Sequence, residues 1–399
     1  MIIENQPYLT DTRVKAEAAA LLEAGWRVRV ICPDLSLGER EGRTFSDRYS
    51  EIDGIHVHSY RMAFASSGML GYLKEYLFSL FHIARLSLKA FREDGFSVVH
   101  LCNPPDVLFI IGAFYKLLGR KVIFDHHDLF PEMILSRYNG LQQRILFHLS
   151  RILEYLTFRT ADAVLSTNQS YLRVAVGRGR MSEGDVFIVR NGPRANETIP
   201  RLPEPTLKRG FPYMACYAGI MGPEDGVREF MHVIRHIVHQ KKRTDILFCL
   251  LGDGAARSEA KEFAQAWGLQ SYVDMPGMIL DRALFFRYLA TADLMLAPEL
   301  SNPLNDKSTF IKVAEYMAVG KPVAAYDLAE TRYTAGEAAV YVPSGNMEAY
   351  AEAIVELLDD PKQRALMGNI GIERIRTRFQ WEHQKGGLLS AYDRVMRLG

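Results

Sequence analysis

The chain alternates short apolar runs with longer amphipathic ones, and no other feature narrows its fold as much. The runs at 26–32, 55–60, 98–102, 121–125, 163–166 and 186–189 read as strands, and those at 13–24, 69–92, 105–118 and 141–160 as helices. Met1-Ile2-Ile3 adds a very short first strand. Strands separated by helices need crossover connections, so they run parallel in a sheet covered on both faces. Residues 192–212 interrupt the rhythm, with Pro193, Pro200, Pro203, Pro205 and Pro212 in a polar stretch that reads as a linker. The alternation then restarts, with strands at 213–218, 245–251 and near 271–274 and 293–297, and helices at 224–240 and 256–267. Helices at 346–358, 361–377 and 380–397 close the chain.

The expected class is α/β: two Rossmann-like domains whose parallel sheets face each other across a cleft, where ligands tend to bind. The expected boundaries are an N-terminal domain at 1–192, a linker at 193–212 and a C-terminal domain at 213–378. A C-terminal helix at 379–399 is expected to pack back on the N-terminal domain. The length of 399 residues suits two or three domains, and a 48 % hydrophobic content supplies their cores. A net charge of +1 gives no global attraction for nucleic acid. Cys32, Cys102, Cys216 and Cys249 lie far apart in apolar runs, which is buried-hydrophobe usage suited to a reducing cytoplasm. No signal peptide is expected at the start, and no run of 18 apolar residues predicts a spanning helix.

Chemistry concentrates in Asn305–Pro322, N-D-K-S-T-F-I-K-V-A-E-Y-M-A-V-G-K-P. It reads as a loop, a helix capped by Ser308 and ended by Gly320, and a strand at 322–326. Ser308, Lys312 and Glu315 share one helix face, presenting a hydroxyl, a cation and a carboxylate. A helix start with a cation one turn in attracts phosphate, and a carboxylate two turns in accepts from sugar hydroxyls. The same spacing also fits an ordinary surface helix with Lys312 and Glu315 as a solvated pair.

On helix 69–92, Lys74, Phe78, Phe81, Arg85, Lys89 and Arg92 form one stripe, and Leu73, Leu77, Leu80, Ala84, Leu88 and Phe91 the neighbouring packing side. A basic, aromatic stripe suits an anionic membrane surface. A surface helix with two partly buried phenylalanines fits it as well. Helix 141–160 repeats the theme with His148, Arg151, Tyr155 and Arg159.

Several segments together resemble the retaining, nucleotide-sugar-dependent glycosyltransferases of family four, of the bacterial surface-polysaccharide type. They are D-T-R-V-K-A-E-A (11–18), G-W-R-V-R-V-I-C-P (25–33), D-H-H-D-L-F-P-E (125–132) and R-N-G (190–192) in the first half. The second half has Y-A-G-I-M-G-P-E-D-G-V (217–227), L-L-G-D-G (250–254), M-P-G (275–277), A-D-L-M-L-A-P (292–298) and K-V-A-E-Y-M-A-V-G-K-P-V (312–323). The resemblance implies a GT-B fold and a metal-independent site with no cofactor, and no Asp-x-Asp motif stands near a strand end. It implies that Glu315 holds the donor ribose, as the second glutamate of a Glu-x7-Glu motif whose first position is here Lys307. The turn Gly219–Gly222 would approach the diphosphate, with Gly252, Arg228, Lys307, Ser308 and Thr309 on the donor side. Gly277 and Met278 would lie near the base. His127 would face the donor sugar, with Asn5 and Asp128 on the acceptor side. Many relatives carry a cation just before the glycine at 226, where this chain has Asp225, so Lys312 is the expected substitute. The implied partners are a nucleotide-sugar donor, a lipid-linked or glycan acceptor and an anionic membrane surface, with no nucleic acid. The implied place is the inner face of the plasma membrane, as a peripheral protein. Two other readings are a GT-B nucleotide-sugar epimerase and a catalytically weak partner subunit.

Overall fold

The computed structural model describes residues 1–34, 48–61, 69–195 and 202–397, so Pro200 of the linker lies outside the described residues. The chain divides into two compact units, Met1–Arg190 with Gln384–Gly399, and Asn191–His383.

The first unit contains α1 (Thr12–Glu23), β1 (Arg29–Asp34), β2 (Arg48–Ile52), β3 (Ile55–Arg61), α2 (Met69–Glu93), β4 (Val98–Cys102) and α3 (Phe109–Leu117). It continues with β5 (Lys121–His126), α4 (Phe130–Arg137), α5 (Gly140–Thr160), β6 (Ala163–Ser166), α6 (Gln169–Gly177) and β7 (Val186–Ile188). The strand orders are β2-β3-β1 and β4-β5-β6-β7. Ile2 bridges in parallel to both Ile31 of β1 and Leu101 of β4, so the short first strand joins the two blocks. Every pairing is parallel except β2 with β3. That edge corrects the all-parallel expectation. Asp53 and Gly54 both take left-handed backbone, with φ 52 and 79, and a two-residue turn of that kind closes an antiparallel hairpin. The core brings Ile2, Ile31 and Val122 of the sheet against Ile83 and Leu86 of α2 and Ile111 and Tyr115 of α3.

The second unit contains β8 (Tyr213–Ala218), α7 (Val227–Arg235), β9 (Ile246–Leu251), α8 (Ala256–Ala266), β10 (Val273–Gly277), α9 (Arg282–Thr291) and β11 (Leu294–Ala297). It continues with α10 (Ile311–Ala318), β12 (Val323–Tyr326), α11 (Ala329–Ala335), β13 (Ala339–Val342), α12 (Met347–Asp359) and α13 (Pro361–Arg374). The last helix, α14 (Trp381–Arg397), places Tyr392 in the first unit, hydrogen-bonded to His100 Nδ1 at 3.0 Å. The sheet of the second unit is wholly parallel, in the order β10-β9-β8-β11-β12-β13. Alternate residues of β8 feed opposite cores, Ala215 and Tyr217 one and Met214, Cys216 and Ala218 the other. Burial on both faces is why these strands read as unbroken apolar runs.

The helix expected at 224–240 starts only at Val227. Gly226 has φ 71 and lies so close to Pro298 that a Cβ would stand 2.0 Å from its carbonyl oxygen. Leu77, expected on the packing side of α2, is instead exposed, and the side chain of Leu73 lies outside the described residues.

His126 is fully buried among the rings of Phe124, Phe158 and Tyr171, and neither ring nitrogen has a hydrogen-bond partner. Burial lowers its pKa from 6.5 to about 3. The unfolded chain therefore binds a proton there that the folded chain refuses, and stability falls as pH drops from 6.5 toward 3. The loss is at most about 1.4 kcal/mol per pH unit. His126→Phe should flatten the fall in thermal midpoint between roughly pH 6 and 4, inside that window. An unchanged slope would show that other groups control the acid limb.

Candidate functional site

In the second unit the order of strands reverses between β8 and β11, and ligands of open parallel sheets bind beyond the strand ends at such a reversal. Here β8 runs into Gly219, β11 runs into Pro298-Glu299, and α10 brings in Lys312. Lys312 Nζ donates to Tyr217 Oη at 3.0 Å, lies 3.4 Å from Asp225 Oδ1 and bonds Glu299 Oε1. A Cβ on Gly219 would stand 2.9 Å from that ammonium, so a side chain there would displace it. Burial opposes the charge of Lys312, but Glu299, Tyr217 and Asp225 outweigh it and hold its pKa well above the ordinary value. Burial raises Asp225 and Glu299, and Lys312 draws them back only in part. The result is one ammonium between two carboxylates in an almost dry corner.

The pairing of Lys312 with Glu315 is not formed. Helical side chains lean toward the N-terminus. Lys312 therefore reaches back to the strand ends, while Glu315, a turn later, accepts from Arg282 Nη2 of α9 at 2.9 Å. Ser308 does not cap the helix, which begins at Ile311 after Phe310. Its hydroxyl donates instead to Leu304 O at 2.9 Å. Asn302 winds residues 302–307 into turns by accepting from the N–H groups of Leu304 and Asn305, each at 2.9 Å. Asn305 then ties this loop to the glycine turn, donating to Glu224 O at 2.8 Å. Gly320, with φ 69, ends the helix as expected.

The glycine turns interlock. A Cβ on Gly252 would stand 1.8 Å from Gly219 O, and one on Gly254 2.5 Å from Met221 O. Gly252 N donates to Gly277 O at 3.0 Å, which brings in the turn after β10. The N–H groups of Gly219, Met221 and Gly222 are already used, by Leu251 O, Asp253 O and Asp225 Oδ2. Arg228 is drawn to Glu259 at 3.0 Å, and Lys307 Nζ donates to Pro303 O at 2.8 Å. Thr309 is half-buried beside them in sequence, and Met278 is exposed, as are Ile220 and Leu280.

In the first unit His127 Nε2 lies 2.5 Å from Asp125 Oδ2. Asp125 is fully buried; burial would raise its pKa, but Arg13 and His127 hold it well below the carboxylate range. Arg13 Nη2 reaches Asp125 Oδ1 at 2.6 Å and Glu17 Oε1 at 3.1 Å, and its Nη1 donates to Val189 O at 2.7 Å. Asn103 Oδ1 accepts from the N–H groups of His127 at 2.7 Å and Asp128 at 3.2 Å, fixing the exit of β5. Asn5 is exposed in the bend after the first strand. His100, Cys102 and Asp125 bring ligand-type atoms within 4.8 Å of one another, but Asp125 is already matched by a guanidinium, which disfavours a cation there. Glu299, Tyr217, Arg282 and Arg13 carry the geometry, and no spacing in the chain pointed to any of them. Each meets its partner only through the fold.

Two family models match the chain: one described as glycosyl transferases group 1 over residues 212–360, the other as a glycosyl transferase 4-like domain over residues 10–192. A phosphatidyl-myo-inositol mannosyltransferase of Mycobacterium leprae is 28 % identical over 194 residues, 48 % of this chain and 50 % of that protein. The chain spans about half the length of the curated relatives it matches, or less. Among solved structures, sucrose-phosphate synthase from Thermosynechococcus elongatus superposes with a TM-score of 0.75 at 17 % identity, over 97 % of this chain and 93 % of that one. An E. coli structure described as trehalose-6-phosphate bound with UDP-2-fluoro glucose superposes with a TM-score of 0.74 at 12 % identity, over 98 % and 97 %. At these identities the likeness carries the fold.

Proposed function

Since this chain belongs to the GT-B superfamily of group 1 glycosyltransferases, we propose that it transfers a sugar from a nucleotide-sugar donor, with retention, to a lipid-linked or polysaccharide acceptor in cell-envelope glycan synthesis. The observation that carries this reading is the ammonium of Lys312 at the point where the strand order reverses, beside a glycine that leaves it room. As the donor bond breaks, negative charge builds on the departing diphosphate, and a preorganised cation stabilises it. Lys312 takes that role, aided by the start of α10. Glu315 holds the ribose after exchanging Arg282 for sugar hydroxyls, and the exposed Met278 lies at the base. In the first unit His127, oriented by Asp125, is the group assigned to the transferred sugar, with Asn5 and Asp128 toward the acceptor. The proposed transfer uses no protein nucleophile, metal or cofactor. The test is a thermal-shift panel of UDP-, GDP-, ADP- and dTDP-sugars, followed by release of nucleoside diphosphate on adding acceptor. A donor that binds the native state raises the midpoint. No shift with any of the four, or release by an epimerase route without acceptor, would overturn the reading.

Glu315→Gln keeps the shape and removes the charge. A charge-assisted bond to a hydroxyl is worth roughly 1.5–3 kcal/mol, so donor turnover should fall about ten-fold or more while the fold survives. Unchanged donor KM and kcat would remove Glu315 from the ribose.

No helix among the described residues is long and apolar enough to cross a membrane. Peripheral attachment to the inner face of the plasma membrane is supported by α2, whose exposed side chains include Lys74, Leu77, Phe81, Arg85, Lys89 and Arg92. Each cation near an anionic surface is worth about 1 kcal/mol. Changing Arg85, Lys89 and Arg92 together to Gln should therefore weaken binding to anionic vesicles strongly at low salt, and equal binding by the variant would refute the role of α2.

A further inference from the structure

α3 and α5 carry an apolar face that is exposed among the described residues. On α5, Leu141, Ile145, Leu149, Ile152 and Leu156 are 37–74 % exposed. At about 100° per residue they fall within an arc of roughly 80°, a continuous stripe along the helix. On α3, Ile110, Phe114 and Leu117 are 45–88 % exposed and fall within roughly 60°. The two helices pack together. Lys116 of α3 donates to Thr160 O of α5 at 2.8 Å, and a Cβ on Gly112 would stand 3.2 Å from Thr160 Cγ2. On its other side, Tyr115 of α3 donates to Ser87 of α2 at 3.0 Å. Exposed apolar patches of this extent mark a surface that something covers.

The charges say what covers it. Arg144 and Arg159 are exposed on α5, and Arg151 is partly so. The only acid on α3 or α5 is Glu154, whose side chain is buried and bonded to Arg178. Beside the stripe, a groove of about 580 Å³ is lined by His148, Arg151, Arg178 and Arg180 with Phe147 and Tyr155. A second copy meeting this face through a two-fold axis would set Arg144, Arg151 and Arg159 against their own equivalents, with no exposed acid on either helix to match them. An anionic bilayer matches both features at once, taking the apolar stripe at its acyl boundary and the arginines at its phosphates. We propose that α3 and α5 form the surface by which this chain lies on an anionic phospholipid membrane, with the stripe of α5 inserted. The proposal deepens the peripheral-membrane reading and rests on it.

The test uses the full chain and vesicles of phosphatidylglycerol or of phosphatidylcholine. The variant Ile145→Ser, Leu149→Ser, Ile152→Ser changes only exposed positions. It should keep the wild-type thermal midpoint and bind phosphatidylglycerol vesicles about a hundred-fold more weakly, at low and at high salt. Arg144→Gln with Arg159→Gln should weaken binding at low salt only. Wild-type preference for phosphatidylglycerol over phosphatidylcholine completes the expected pattern. Equal binding by the serine variant overturns the proposal. So does a wild-type dimer that the serine changes convert to monomer, which would make the face a contact between copies. If Arg85, Lys89 and Arg92→Gln abolishes binding while the serine variant binds normally, α2 alone docks, and this proposal fails while peripheral attachment stands. If neither the wild-type chain nor any variant binds vesicles, both fail, while release of nucleoside diphosphate with a soluble acceptor still judges the transferase reading separately.

Discussion

Lys312→Met is expected to lower kcat by about a hundred-fold or more, because removing one preorganised charge-stabilising group commonly costs that much. Its product inhibition by nucleoside diphosphate should weaken in parallel. The environment of Lys312 adds a complication that a surface lysine would not have. Glu299 is 1 % exposed and Asp225 mostly buried, so the bare substitution strands two carboxylates. Breaking a buried pair by removing one partner costs about 3–5 kcal/mol. A fall in activity from Lys312→Met alone therefore mixes chemistry with folding. Lys312→Met combined with Glu299→Gln and Asp225→Asn removes the stranded charges and should recover most of the stability. Turnover should stay low in the triple variant if Lys312 meets the leaving group. Recovery of kcat with the fold would assign the diphosphate to other groups, and near wild-type constants in the single variant would do the same. Lys307→Met is the companion measurement: with its ammonium on Pro303 O, a much smaller effect is expected.

Arg13→Met should destabilise the first unit by about 3–5 kcal/mol, because it strands the buried carboxylate of Asp125. Both Asp125 and Glu17 are fully buried, and Arg13 is the cation that touches each of them. A chain of two units need not unfold in one step, so the measurement is amide exchange in β4 and β5 rather than a single global midpoint. Protection there should drop, and strands of the second unit should keep theirs. The variant should also loosen His127, because Asp125 is the shared anchor. A loss below about 1 kcal/mol would mean that Glu17 and Asp125 rearrange or take up protons in place of the guanidinium.

The sheet was legible in the sequence because burial on both faces turns each parallel strand into an apolar run, and runs survive without knowledge of partners. Less could be read where a residue's role depends on what stands opposite. Ser308 resembled a cap because caps are read from spacing, yet Asn302 and Asn305 claim that loop and delay the helix to Ile311. The turn at Asp53-Gly54 did carry a local hairpin signal, hidden by the expectation that every strand crosses over. Lys312 was found on its helix face, but its partners come from the ends of two other segments, Tyr217 and Glu299, and no spacing rule reaches that far. Arg13 lay inside a recognised segment without a task until the fold set it against Asp125, 112 positions away.

The interlocking of Gly252 with Gly219 and of Gly254 with Met221 bears on how such a protein can be altered. Backbone presses on backbone at both points, so neither turn can take a new path unless the other moves with it. The turns after β8 and β9 thus hold one another in place as one piece. A graft meant to change which donor is accepted has to carry both turns together, and exchanging either alone would meet a collision that no side-chain repacking can relieve.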